Sequence, residues 1–164
     1  MKQSDGQILL LAAIDGDPDK VESLLASGGD VDVRDKRGCT ALMVASECGR
    51  DEMVRVLVDA GADVNIRCSR NETALMAAAR QGFTDIVRTL IDAGADVDAK
   101  SKRGWTALKM AVFSDHRDAA RVLLEVGANP NSKDEDGETV FHCALRHAGR
   151  ETIGLVKSWC ERVA

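Results

Sequence analysis

The chain has 164 residues, 30% of them charged, with a formal net charge of −5, a balance that disfavours nucleic acid as the principal partner. Five cysteines, odd in number and without a Cys-x-x-Cys pair, argue against a disulfide framework or a structural zinc site and for a reducing compartment. No Pro-, Gly- or Ser-rich linker interrupts the chain, so one elongated domain is the natural reading.

From the start, Ile8 to Ile14 forms a first apolar stretch and Val21, Leu24 and Leu25 a second, ending at Gly28-Gly29-Asp30-Val31. The first stretch is too short to cross a bilayer and runs at once into Asp15, Asp17 and Asp19. One Lys precedes it and no small-residue cleavage site follows, so it is expected to be a core helix rather than a secretion signal, and the cytoplasm is the expected location, with the nucleus open.

In the next segment Thr40 to Cys48 carries Leu42, Val44 and Ala45 on one helical face, and Gly49 breaks the run. From Asp51 the pattern restarts with Met53, Val54, Val56, Leu57 and Val58 and stops at Gly61. The Thr40 hydroxyl is placed to cap the first helix, and Gly61 supplies the left-handed residue that ends the second.

The same sentence is then repeated. Gly61-Ala62-Asp63-Val64, Gly94-Ala95-Asp96-Val97 and Gly127-Ala128-Asn129-Pro130 fall 33 residues apart, and so do Thr40-Ala41-Leu42, Thr73-Ala74-Leu75, Thr106-Ala107-Leu108 and Thr139-Val140-Phe141. Two phrases in one register mark a solenoid. Each helix is shorter than the ~12–15 residues that an isolated helix needs, so each pair must bury its apolar face against its neighbours. The polar loop from Asp63 to Thr73 is expected to project as a finger. The expected division is 1–34, 35–67, 68–100, 101–133 and 134–164, with the first and last segments as caps.

These units resemble the ankyrin repeat, which reads approximately Asp-x-x-Gly-x-Thr-Pro-Leu-His-x-Ala-Ala, then Gly, Leu-Leu and Gly-Ala-Asp-Val-Asn. The resemblance runs from about Gln7 to Ala164. It implies an all-α repeat solenoid of helix-turn-helix pairs with β-hairpin-like fingers. The chain departs from the pattern at several turns. Asn71 stands where Gly38, Gly104 and Gly137 hold the finger turn, and Asp115 and Ala148 replace the turn glycines Gly49 and Gly82. Looser helix–helix turns are therefore expected in the fourth and fifth units.

Nothing in the chain offers a catalytic constellation: there is no glycine-rich phosphate loop, no Gly-x-Ser-x-Gly and no His-Glu-x-x-His. No enzyme activity, cofactor or metal is expected. His142 falls where the family's histidine serves local hydrogen bonding, and His142 and His147, five apart, diverge around a helix. Cys143 takes the core position of Val44, Ala77 and Met110, whereas Cys39 and Cys68 lie in fingers as candidate exposed thiols.

Partners of such proteins dock on the concave side, on finger tips and first helices. Carried through the 33-residue frame, those positions give Lys36, Arg37 and Met43, then Arg70, Met76 and Arg80, then Lys102, Arg103, Trp105, Lys109 and Phe113. Seven of these are basic, against Glu47 and Glu72 in the same frame, while Glu135, Asp136 and Glu138 reverse the sign in the last unit. With two Trp, three Phe and no Tyr in the chain, Trp105 is the candidate anchor and Trp159 a packing residue of the last helix. The expected function is that of a monomeric adaptor or inhibitor binding an acidic or mixed protein surface with an apolar anchor. A recognition arm of a larger protein and an engineered scaffold are the alternatives; Met1 and the closing segment favour a complete chain, and framework drift between units speaks against a library.

Overall fold

A computed structural model describes residues 3–163. Among them, ten helices follow in pairs: α1 (Gln3–Asp15) with α2 (Pro18–Ala26), α3 (Ala41–Glu47) with α4 (Asp51–Asp59), α5 (Ala74–Gln81) with α6 (Thr84–Asp92), α7 (Ala107–Phe113) with α8 (Arg117–Glu125), and α9 (Val140–His147) with α10 (Arg150–Val163). The first helices of successive pairs pack on one another, as do the second helices, so the molecule is two helical layers stacked along one axis. The apolar faces meet in one ribbon, with Leu42, Leu75 and Leu108 in one layer and Leu57, Leu90 and Leu123 in the other, all at most 1% exposed.

The caps explain why such short helices form where they do. The Oγ1 atoms of Thr40, Thr73 and Thr106 accept the amides of Met43, Met76 and Lys109, each at 3.3 Å. At the fourth such position the Thr139 amide donates to His142 Nδ1 at 3.3 Å, the local bonding expected of that histidine. The second helices α2, α4, α6 and α8 end on left-handed glycines, Gly61 at φ +85° among them.

The fingers are hairpin-like. The amides of Asp35, Cys68, Ser101 and Asp134 donate to the carbonyls of Cys39, Glu72, Trp105 and Glu138, and each tip also bonds its neighbour, through Ser69 N–H to Arg37 O, Lys102 N–H to Arg70 O and Glu135 N–H to Arg103 O. A second set of ties was not foreseen from the sequence. The side chains of Asp32, Asn65 and Asp98 accept the amides of Asp63, Asp96 and Asn129, so a polar residue two past each Gly-Ala-Asp aspartate joins one loop to the next.

The helix–helix turns correct one expectation. Asp115 does take the left-handed conformation, at φ +57°, but it is tied rather than loose: its Oδ1 accepts the Gly149 amide at 2.9 Å and the Thr152 hydroxyl at 2.7 Å. The Thr152 bond, together with the Gly149 bond, outweighs the desolvation of Asp115 and holds its carboxyl below the ordinary value. Ala148 is not left-handed at all; it caps α9 in extended backbone at φ −100°. The neighbouring repeat explains how Asp115 is accommodated. A Cβ on Gly82 would lie 2.4 Å from the His116 ring, so the next residue in the stack covers that glycine; where Asp115 replaces it, the covering residue is Gly149, which leaves room for the carboxylate.

Candidate functional site

Positions 39, 72, 105 and 138 close the fingers, and positions 47, 80, 113 and 146 end the exposed edge of the first helices, so the 33-residue step sets them opposite each other in every unit. In the third unit the pair is Glu72 and Arg80, bonded at 3.1 Å, and in the fifth it is Glu138 and Arg146 at 2.5 Å. In the fourth it is Trp105 and Phe113, whose ring centroids lie 5.0 Å apart with the planes tilted by 54°. His147 extends the stack, its ring 4.6 Å from Phe113. Arg103 covers Trp105 with its guanidinium 4.6 Å from the ring centroid, and Lys109 approaches to 5.7 Å.

Phe113 keeps 42% of its surface exposed, and Trp105 is half-buried against the core. The two rings form a ridge with a depression on each side. One, of about 310 Å³, is lined by Arg70, Arg80, Lys102 and Arg103 together with Met110; the other, of about 430 Å³, by Asp136, Glu138, Arg146 and His147. Of the eleven residues that the frame nominated, the structure thus brings together Arg70, Arg80, Lys102, Arg103, Trp105 and Phe113. Lys36 and Arg37 lie exposed on an earlier finger. His147 was missed, because its equivalents Gln81 and Ser114 give no hint of an aromatic contact.

Three nominated residues are not on the surface. Met43 and Met76 are 6% and 1% exposed, within the core. Lys109, at the same step, is 2% exposed. Its ammonium is bonded to the Asp134 carboxylate and donates to Glu138 O at 2.9 Å, so it is internal to the stack and not a free cation. The reason is geometric: this column of the first helix faces the next unit's finger rather than solvent, and Asp134 belongs to that finger. Burial alone would push the Asp134 carboxyl up, but the Lys109 hydrogen bond and the Glu138 and Asp136 amides outweigh it and leave it below the ordinary carboxylate value.

The basic tract also shrinks on the surface. Arg80 bonds both Glu72 and Glu47, Arg70 bonds Glu72 at 2.9 Å, and Arg37 bonds Asp35 at 3.2 Å. Among the described residues this leaves Lys36, Lys102 and Arg103 as the nominated cations without an ion-pair partner. The acidic end is trimmed likewise, because Asp134 and Glu138 are paired and Glu135 and Asp136 are exposed.

The finger thiols are not exposed sensors. Cys68 is 6% exposed, and Cys39 is half-buried, with its thiol pushed up to about 11 by burial and by the neighbouring Asp35 and Cys68. Cys143 lies in the core at 3% exposure, as its register implies. Among the described residues no cluster of three His, Cys, Asp or Glu could hold a metal ion, and no helix is long and apolar enough to cross a membrane.

No curated protein matches the chain closely enough to serve as a named relative. The family model of ankyrin repeats in three copies matches residues 9–101, 68–134 and 94–157, nearly the whole chain. On that match and on the stacked helix pairs with their bonded fingers, the chain belongs to the ankyrin repeat family, whose members generally serve as protein–protein interaction modules.

Proposed function

We propose that this chain is a non-enzymatic adaptor or inhibitor that docks a partner protein on the face formed by its fingers and first helices, with Trp105 and Phe113 at the centre. A single observation supports this reading. Every other unit of the finger-and-helix pair from the third to the fifth closes on a Glu–Arg ion pair, and the fourth alone closes on two aromatic rings, one of them 42% exposed. Aromatic side chains flanked by arginine are the commonest anchors of protein interfaces, because they bury a large area at low entropic cost.

The expected partner carries an apolar side chain that fits against the ridge and a mixed or acidic surface around it, and the expected setting is the cytoplasm. The second-helix layer, with exposed Asp59 and Asp92, serves as the outer wall of the stack.

The test is capture of a partner from lysate by the wild-type chain, by Trp105→Ala and by Asp59→Lys/Asp92→Lys, followed by binding measurements with the purified pair. Trp105→Ala should weaken binding by about 2 kcal/mol, roughly 30-fold, mainly through faster dissociation. The outer-wall variant should bind as the wild type does. The reverse pattern would show that the partner reads the second helices.

A further inference from the structure

The sign of the unpaired charge changes across the aromatic ridge. On one side Lys102 stands at a finger tip, with Arg103 beside it over the ridge itself and lining both depressions, both exposed and without ion-pair partners among the described residues. On the other, Glu135 and Asp136 stand at the next tip, also exposed. These are the same two tip positions, 33 residues apart, and the two tips are bonded side by side through Glu135 N–H and Arg103 O at 3.2 Å. The nearby Arg70 and Arg80 do not extend the positive side with full weight, because Glu72 and Glu47 already bind them.

Adjacent tips of opposite sign would ordinarily neutralise each other, yet no ion pair joins them among the described residues. Arg103 turns instead onto the Trp105 ring, 4.6 Å from its centroid, which leaves the outer edge of its guanidinium free to meet a carboxylate. The two depressions are thus walled by the same rings and share Arg103; beside it, the unpaired charge is positive at Lys102 in the one of about 310 Å³ and negative at Asp136 in the one of about 430 Å³, where Lys109–Asp134 and Arg146–Glu138 are paired.

From this charge complementarity we infer that the partner's docking segment is charge-segregated: an apolar side chain seated on Trp105 and Phe113, acidic residues on the flank over Lys102 and Arg103, and basic residues on the flank over Glu135 and Asp136. This rests on the docking reading above and refines it, because a uniformly acidic partner would meet repulsion on the far side of the ridge. Like-charge contact at a rim selects against wrong partners more than it strengthens the right one, so the arrangement sets specificity.

The experiment uses the full chain and a pooled library of end-blocked heptapeptides. The central residue is Leu, Phe, Met or Ser, and each flank is independently acidic, basic or neutral. Bound peptides are recovered and identified by mass spectrometry. Peptides with an apolar centre, one acidic flank and one basic flank should be enriched roughly fivefold over peptides with two acidic or two basic flanks, and less so as salt is raised. Lys102→Glu/Arg103→Glu should move the preference to two basic flanks, and Glu135→Lys/Asp136→Lys to two acidic flanks. All four side chains are exposed, and circular dichroism will show that both variants keep the wild-type fold. Enrichment that follows the apolar centre but ignores the flanks, or favours two acidic flanks in the wild type, overturns this inference and leaves the docking reading standing. Recovery that does not depend on the central residue overturns both.

Discussion

The third and fourth units place different chemistry on one backbone. Position for position, Glu72 and Arg80 become Trp105 and Phe113, Met76 becomes Lys109, and the turn glycine Gly82 becomes Asp115. The helices, the Thr caps and the finger hydrogen bonds are unchanged. The comparison separates what the fold requires from what the surface is free to vary. Two of these changes are matched by a second change one step along the stack: Lys109 meets Asp134 where the unit before has Ser101, and Asp115 meets Gly149 where the unit before has His116. Stability in such an array is carried by contacts between neighbours, so a substitution is judged with its partner in the next unit.

The largest effect is expected at Lys109. Lys109→Met installs the residue of the third unit and leaves Asp134 buried and unpaired, which should cost about 3–5 kcal/mol in urea denaturation. The companion variant Lys109→Met/Asp134→Ser restores both residues of the earlier pair and should recover most of that loss. The pH dependence sharpens the test. In the wild type the folded carboxyl of Asp134 is depressed, so its contribution is complete above the unfolded carboxylate value of about 3.9 and is lost as the pH falls through the lower folded value. In Lys109→Met the burial of Asp134 is unopposed by its main partner, the folded value rises, and the deficit should shrink as the solution is acidified through that value. A deficit that stays constant with pH would mean that lost packing, not the lost charge partner, explains the cost.

Next in size is the ridge. Trp105→Glu/Phe113→Arg rewrites the fourth unit as the third, with a surface ion pair in place of the ring contact. Exposed pairs contribute about 0–1 kcal/mol, so thermal stability should change little more than that, while partner binding should fall by about 2 kcal/mol. Equal losses of stability and binding would show that the rings serve the core and not a partner.

A smaller loss is expected at the turn. Asp115→Gly restores the glycine of the third unit and relieves the left-handed strain of about 1 kcal/mol, but it removes two hydrogen bonds that, at this largely solvated carboxylate, are worth about 1–1.5 kcal/mol each. The net outcome should be destabilisation by about 1–2 kcal/mol, measured by thermal or urea melting. A gain in stability would show that Gly149 and Thr152 find other partners.

Much of this was legible in the sequence. The 33-residue step, the Thr caps, the glycine stops and the placing of Trp105 and Phe113 on one surface all follow from residues repeating in register. Register says which residues are equivalent and not which side of the finger they face. Lys109 is equivalent to Met76, and both were assigned to the surface; the finger of the next unit covers that column, and only the carboxylate at Asp134 makes a lysine tolerable there. The pairing of Arg80 with Glu47 spans two units and was hidden by counting charges within a frame instead of across it. The ties from Asp32, Asn65 and Asp98 were visible as a polar residue at a fixed offset, but their partners lie 31 residues on and outside any local pattern.

The smallest prediction concerns the last turn, where the sequence pattern and the structure give opposite signs. By register Ala148 occupies the place of Gly82 and Asp115, and if it shared their left-handed backbone, Ala148→Gly would relieve strain and stabilise the chain. Its φ is −100°, in extended backbone that alanine adopts freely, and its side chain packs against the core. Glycine there relieves nothing, loosens the unfolded chain and removes a partly buried methyl, so Ala148→Gly should destabilise by about 0.5–1 kcal/mol. The same substitution at Asp115 carries a different balance, since strain relief there is real but is outweighed by the lost carboxylate. Melting the two glycine variants side by side therefore measures the turns separately. A rise in melting temperature for Ala148→Gly would place that residue in the left-handed region and restore the simple 33-residue equivalence through the final turn.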